Sequence, residues 1–170
     1  AFTHQPAHAL VLGCGAGDAC IELAKRGMKV SGIDISPAAI EWAREKAGAT
    51  PNVEFSLGSV LALPYPNEHF DWVLIDLEHG AGDLGAMYLQ LQVLHDTGST
   101  AIVRTDELTR NKVQHILDGG AGGIMFPQLQ SQEEAQSAAL MMYYPPSGVR
   151  GMAKMVRATG FGVHAESYRK

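Results

Sequence analysis

Apolar and polar positions along the chain follow two alternating rhythms. Short, nearly continuous apolar runs occur at Ala9 to Leu12, Lys29 to Asp34, Val53 to Leu57, Phe70 to Leu77, Thr100 to Arg104 and Gly123 to Pro127. Runs of that length bounded by turn residues read as strands. Between them, apolar residues recur every three or four positions, the rhythm of a helix face. Asp18 is placed to cap a helix with Ala19, Cys20, Leu23 and Ala24 inward, stopped by Gly27. Ser36 followed by Pro37 predicts an N-cap and first helical residue, with Ala39, Ile40, Ala43 and Ala47 as the stripe and Gly48 as the stop. Asp83 caps a helix carrying Leu84, Met87, Tyr88, Leu91 and Leu94. Thr109 caps one with Val113, Ile116 and Leu117, ended by Gly119-Gly120. Ser131 with Glu134 forms a capping box for a helix with Ala135, Ala138, Ala139 and Met142 inward.

Six strands joined by crossover helices predict a parallel α/β sheet. The run from Phe70 to Leu77 is apolar enough for burial on both faces. The chain is too short for the eight strand–helix units of a closed barrel. The expected fold is therefore an open, doubly wound, Rossmann-like sheet in the order 3-2-1-4-5-6 within a single domain of residues 1–170. An incomplete (β/α) barrel closed by oligomerisation is the alternative. Residues 58–69 read as a loop. The rhythm fails after Tyr143, and residues 145–170 predict a packed loop, a short helix or disorder.

With a net charge of −5 and no run of lysine or arginine, the sequence offers nothing that invites nucleic acid or an anionic membrane. No apolar stretch reaches the roughly 18 residues that span a bilayer. No basic region followed by an apolar run marks a leader, so a cytoplasmic location is expected. The two cysteines, Cys14 and Cys20, do not make a disulfide framework, and Cys20 reads as a small buried hydrophobe. No Cys/His spacing suits a metal.

The chemistry concentrates at the ends of strands. Gly13-Cys14-Gly15-Ala16-Gly17 lies between the first strand and its helix, where glycines permit a tight turn and close approach of a ligand to backbone. Asp34 ends the next strand, where an acid commonly holds ribose hydroxyls. Its other reading is a capping or solvated loop acid. The G-x-G-x-G spacing disfavours a pyrophosphate site.

From ALVLGCGAG through KVSGIDISPAAIEWAREKAGATPNVEFSLGSVLALPYPNEHFD, residues 9–71 resemble a class I S-adenosylmethionine-dependent methyltransferase. The resemblance implies that Gly13, Gly15 and Gly17 line the methionine and ribose of the cofactor. It implies that Asp34 holds the ribose hydroxyls, that Ile35 lies beside the adenine, and that Leu57, Gly58, Ser59 and Val60 form the adenine edge. Two positions depart from the family pattern, Val11 and Ser59 standing where acids are usual. A hydrogen bond to a charged group contributes about 1.5–3 kcal/mol. Each departure therefore weakens binding by roughly 10- to 100-fold, less at Ser59, whose hydroxyl still bonds.

The second half departs from a methyltransferase. FDWVLIDLEHGAGDL, AIVRTDE, ILDGGAGGIMFPQLQSQEEA and YYPPSGVRG, within residues 70–162, resemble the HpcH/HpaI or 2-dehydro-3-deoxyglucarate aldolases, metal-dependent (β/α)₈ barrels that act next to pyruvate. The resemblance implies an Asp76–His79 base pair and an Arg104 that stabilises an enolate. The Q-x-E strand and later aspartate that hold the metal in that family have no counterpart here, so no metal site is expected. Asp76, Glu78, His79 and Arg104 also read as loop and ion-pairing residues. Both families begin a buried parallel strand with F-D-x-V-L, which makes Phe70-Asp71 a natural junction between a methyltransferase-like fragment, 1–70, and an aldolase-like fragment, 71–170.

These readings describe an engineered chimera with no intact natural activity and no required cofactor, which weakly binds S-adenosylmethionine or S-adenosylhomocysteine. A methyltransferase with an unusual acceptor region and a residual pyruvate aldolase are the alternatives. The expected state is a monomer or weak homodimer. Met152, Met155, Val156, Phe161 and Val163 either form a sticky surface or pack back on the sheet.

Overall fold

The first strand, β1 (His8–Leu12), is an apolar ribbon buried from its second residue onward. It pairs in parallel with β2 (Lys29–Asp34) on one side and β4 (Trp72–Asp76) on the other. Leu10 therefore faces Ser31 and Val73 in register, and Leu12 faces Ile33 and Ile75. β2 pairs with β3 (Val53–Leu57), and β5 (Thr100–Arg104) with β6 (Gly123–Met125), all in parallel. The six strands form one open sheet in the order β3-β2-β1-β4-β5-β6. This is the doubly wound arrangement expected from the sequence; the sheet does not close into a barrel. The computed structural model describes residues 7–66, 69–80, 82–95 and 97–168. Asn67 and Glu68 of the expected 58–69 loop, and Arg169 and Lys170 of the tail, lie outside the described residues.

The helices are α1 (Asp18–Lys25), α2 (Pro37–Ala47), α3 (Leu84–Leu94), α4 (Arg110–Asp118) and α5 (Gln132–Met142). Four caps form as the sequence predicts. Ser36, Asp83, Thr109 and Ser131 each accept the backbone N–H three residues on. Glu134 completes its box one residue early, accepting from the N–H of Gln130. The cap of α1 differs from expectation. Gly17, in the left-handed region, is the N-cap and makes no side-chain bond. Asp18 is already helical, and its carboxylate pairs with Lys46 instead.

Two compact units divide the chain between Ala101 and Ile102, inside β5. In the first, the core is built from β1, β2, β4 and the inner faces of α1 to α3. Leu10, Val11, Val30, Ile33, Val73, Leu74, Ile75 and Met87 are fully buried. β4 is buried along its whole length, as its apolar run predicts. Its start is fixed by Asp71, whose carboxylate accepts the N–H of His8 and whose carbonyl accepts that of Thr100.

In the second unit, α4 buries Val113, Ile116 and Leu117. α5 corrects an expectation: only Ala138 of its predicted stripe is buried, while Ala135 and Ala139 are exposed. Within this unit α5 packs against α4, and its Leu140 carbonyl accepts the N–H of Val149. β6 ends at Met125, two residues short of Pro127, whose ring has no N–H to extend a ladder. The described residues of the tail carry local backbone bonds and a 3₁₀ turn, Arg157–Thr159. Buried Thr159 gives its hydroxyl to backbone carbonyls of Lys154 and Val156. Arg150 anchors the segment. Its guanidinium donates to Asp118 at 2.8 Å and lies 4.6 Å from the centre of the Tyr144 ring. Met152, Met155, Phe161 and Val163 are exposed.

Candidate nucleoside site

The glycine turn and Asp34 sit at the carboxyl ends of β1 and β2. Gly13, Gly15 and Gly17 all have positive φ, 67°, 52° and 80°, which side-chain-bearing residues rarely adopt. The turn is pinned to β2 by the N–H groups of Gly13 and Cys14, both of which donate to the Ile33 carbonyl. The third glycine serves packing beneath the turn. A Cβ on Gly17 would lie 2.7 Å from Phe55 and 3.0 Å from Ala43. Cys14 and Cys20 are both free and buried. Hydrogen bonding with the Cys14 thiol, reinforced by burial, pushes the Cys20 thiol far above its usual range, so it stays neutral.

Asp34 joins the two turns. One carboxylate oxygen accepts the N–H of Gly15 at 2.9 Å and the other accepts that of Ser36 at 2.8 Å. Each oxygen has lone-pair capacity beyond those bonds, so the half-buried group remains able to accept from a ligand hydroxyl. Ile35, the next residue, is 72% exposed, an unusual position for a large aliphatic side chain. Leu57 is exposed at the end of β3, in register with Asp34 on the paired strand β2. Gly58 donates to the Asp34 carbonyl, and a Cβ there would lie 2.8 Å from Ile33. Ser59 accepts the Leu61 N–H, while Val60 is half-buried in that turn. Val11 lies wholly inside β1.

The aldolase-like residues divide between the units. Asp76 ends β4, and one of its oxygens accepts the N–H groups of Glu78 and His79 at 3.0 and 3.2 Å. The His79 ring is exposed, 3.7 Å from the Glu78 carboxylate. Arg104, at the end of β5 in the second unit, is buried. Among the described residues no three of His, Cys, Asp or Glu gather into a group able to hold a metal ion. The donor set present does not fit the divalent metal that the aldolase resemblance implies.

One participant was not evident from the sequence. The His79-Gly80 backbone lies against the glycine turn: the Cβ position of Gly13 is 3.7 Å from Gly80 Cα, and that of Gly15 is 3.8 Å from the His79 carbonyl oxygen. The dipeptide itself signals only a turn. Which neighbour the turn meets depends on β1 and β4 being adjacent.

Comparison with known proteins accounts for this mixture. Residues 9–97 match the methyltransferase domain family and residues 60–166 match the HpcH/HpaI aldolase/citrate lyase family. The chain belongs to both families. The methyltransferase and HpcH/HpaI segments overlap across β4 and α3, consistent with a two-part chimera joined there. On the HpcH/HpaI side, a pyruvate aldolase of Rhizobium etli is 38% identical over 93 residues, 55% of this chain and 37% of the relative. A hydroxypyruvate/pyruvate aldolase of Paraburkholderia phytofirmans is 36% identical over 118 residues, 65% of this chain and 45% of the relative. The chain thus spans less than half the length of these curated relatives. The crystal structure of an HpcH/HpaI aldolase/citrate lyase family protein from Burkholderia cenocepacia superposes with a TM-score of 0.60 at 25% identity, covering 97% of this chain and 50% of that one.

Proposed function

We propose that this chimera is an adenine-nucleoside-binding protein, engineered by recombination, without turnover from either parent. The observation that carries the reading is Asp34. Its carboxylate is held by two backbone N–H groups, one from the glycine turn, and stands beside an exposed aliphatic platform, Ile35. That pairing suits a sugar with vicinal hydroxyls and the flat apolar face of a purine. The sugar hydroxyls donate to the carboxylate, while Ile35 and Leu57 cover the base. Titration calorimetry with adenosine tests it. Asp34→Ala is expected to weaken binding by about 10-fold or more, the loss of one or two charge-assisted bonds. Ile35→Ser, a change at an exposed position that leaves the fold intact, is expected to weaken it several-fold. Absence of adenosine binding in a folded protein refutes the reading.

A second reading has support in the pyruvate aldolases among the relatives. It places proton exchange at pyruvate on His79. The Asp76 oxygen that receives two backbone N–H groups positions the loop bearing His79. Deuterium exchange into pyruvate in the presence of manganese or magnesium tests it. A rate equal to that of His79→Ala ends it.

A further inference from the structure

Resting on the nucleoside reading, the strand order dictates how such a ligand lies. Ile35 and Leu57 belong to the β2 and β3 tips, and Asp34 to β2. A base over Ile35 and a sugar over Asp34 direct the 5′ substituent the opposite way, toward β1 and then β4. There it meets Gly13 and Gly15 on one side and His79-Gly80 on the other. The Cβ positions of the two glycines are already in van der Waals contact with that segment, at 3.7 and 3.8 Å. With one Cα–Cβ bond of ~1.5 Å added, the facing Gly13 and Gly80 backbones are within about 5 Å of each other. A carbon chain between two walls requires about 3.5–4.0 Å from each. No layer of ligand atoms fits between these two backbones.

The closing segment is held, not merely nearby. Asp76 binds the N–H groups of Glu78 and His79, folding the chain back over the end of β4. Residue 80 has no room for a side chain: a Cβ there would stand 2.1 Å from the Asp76 carbonyl oxygen. The segment that closes the space lies where the methyltransferase and HpcH/HpaI matches overlap.

We infer that the Asp76–Gly80 turn closes the 5′ end of the site, so that it takes nucleosides with no 5′ substituent or a short uncharged one and excludes those carrying an amino-acid arm. Adenosine and 5′-methylthioadenosine are ligands; S-adenosylhomocysteine and S-adenosylmethionine are not. The disagreement with the cofactor implied by the methyltransferase resemblance lies in the arm alone.

The test titrates adenosine, 5′-methylthioadenosine and S-adenosylhomocysteine into the full chain and into two variants. In the parent, the first two bind with similar affinity and S-adenosylhomocysteine at least about 10-fold more weakly. Gly80→Ala forces the turn off the Asp76 carbonyl, and Asp76→Ala removes the bonds that hold it. Circular dichroism checks that each is folded. In a folded variant, S-adenosylhomocysteine gains affinity relative to adenosine, whereas Asp76→Asn, which keeps the acceptor oxygen, behaves like the parent. Equal binding of adenosine and S-adenosylhomocysteine by the parent overturns the inference and leaves the nucleoside reading standing. The same follows if adenosine binds and the folded variants still exclude the longer ligand. Failure of all three compounds to bind the folded parent overturns both.

Discussion

Gly32 lies under the glycine turn, midway along β2, in register with Val11 on one side and Phe55 on the other. A methyl group added there would stand 2.8 Å from the Phe55 ring, 2.9 Å from the Cys20 sulfur and 3.0 Å from the Cys14 sulfur. All three distances are shorter than carbon and sulfur tolerate, and all three neighbours are buried. Overpacking of a filled core costs about 1–3 kcal/mol. Crowding on three sides argues for the upper part of that range, while the reduced entropy of the unfolded chain returns about 0.4–1 kcal/mol. Gly32→Ala is therefore expected to lose about 2 kcal/mol. With a urea slope of about 1–3 kcal/mol per molar, the midpoint falls by roughly 1 M. Circular dichroism during urea unfolding measures it. Cys20→Ala removes one of the crowding atoms, so the double variant should be more stable than the sum of the single changes implies, with a coupling of about 0.5–3 kcal/mol. An unchanged midpoint for Gly32→Ala, or strict additivity in the double variant, refutes the packing argument.

Other consequences are equally measurable. Arg150→Met leaves the Asp118 carboxylate partly buried without its cation and removes the guanidinium from the Tyr144 face, so a loss of about 2–4 kcal/mol is expected by urea unfolding. Arg150→Lys should recover only part of it, because an ammonium cannot stack on the ring as a planar guanidinium does. Burial, with Lys29 and His69 adding to it, holds His8 below its ordinary value of 6.5. The folded state therefore prefers the neutral ring. Its contribution is complete above pH 6.5 and is lost as pH falls through the lowered folded value, where the unfolded chain binds the extra proton. His8→Phe should flatten that slope in urea midpoints taken from about pH 5 to 8.

The strands were legible because parallel-sheet strands are short and apolar on both faces: the ranges of β2, β3 and β5 follow directly from their composition. Helix starts were legible where a Ser, Thr or Asp stood just outside the helix, and illegible at α1, where a left-handed glycine takes the cap and Asp18 looks outward to Lys46. The α5 stripe misled because alanines are compatible with either side of a helix, and of the predicted stripe only Ala138 is buried. At the candidate site, Gly15 and Asp34 were readable from their spacing. The approach of His79-Gly80 to Gly13 was not, since it joins residues more than 60 positions apart through strand adjacency alone. Likewise, nothing in the tail's irregular sequence announced that Arg150 would be its anchor.

β4 bears on how folds exchange parts. A strand enclosed by apolar neighbours above, below and on both flanks carries little information about which architecture surrounds it, because every parallel sheet offers it the same environment. Residues 72–76 satisfy a methyltransferase and an aldolase alike. The turn that leaves such a strand travels with whatever lies downstream of a splice. A cut before the strand therefore grafts the newcomer's turn onto the host's ligand cleft. A cut after the turn would keep the cleft of the host. Placement of the splice by a handful of residues, with the sheet unchanged, decides whose small molecules the hybrid can recognise.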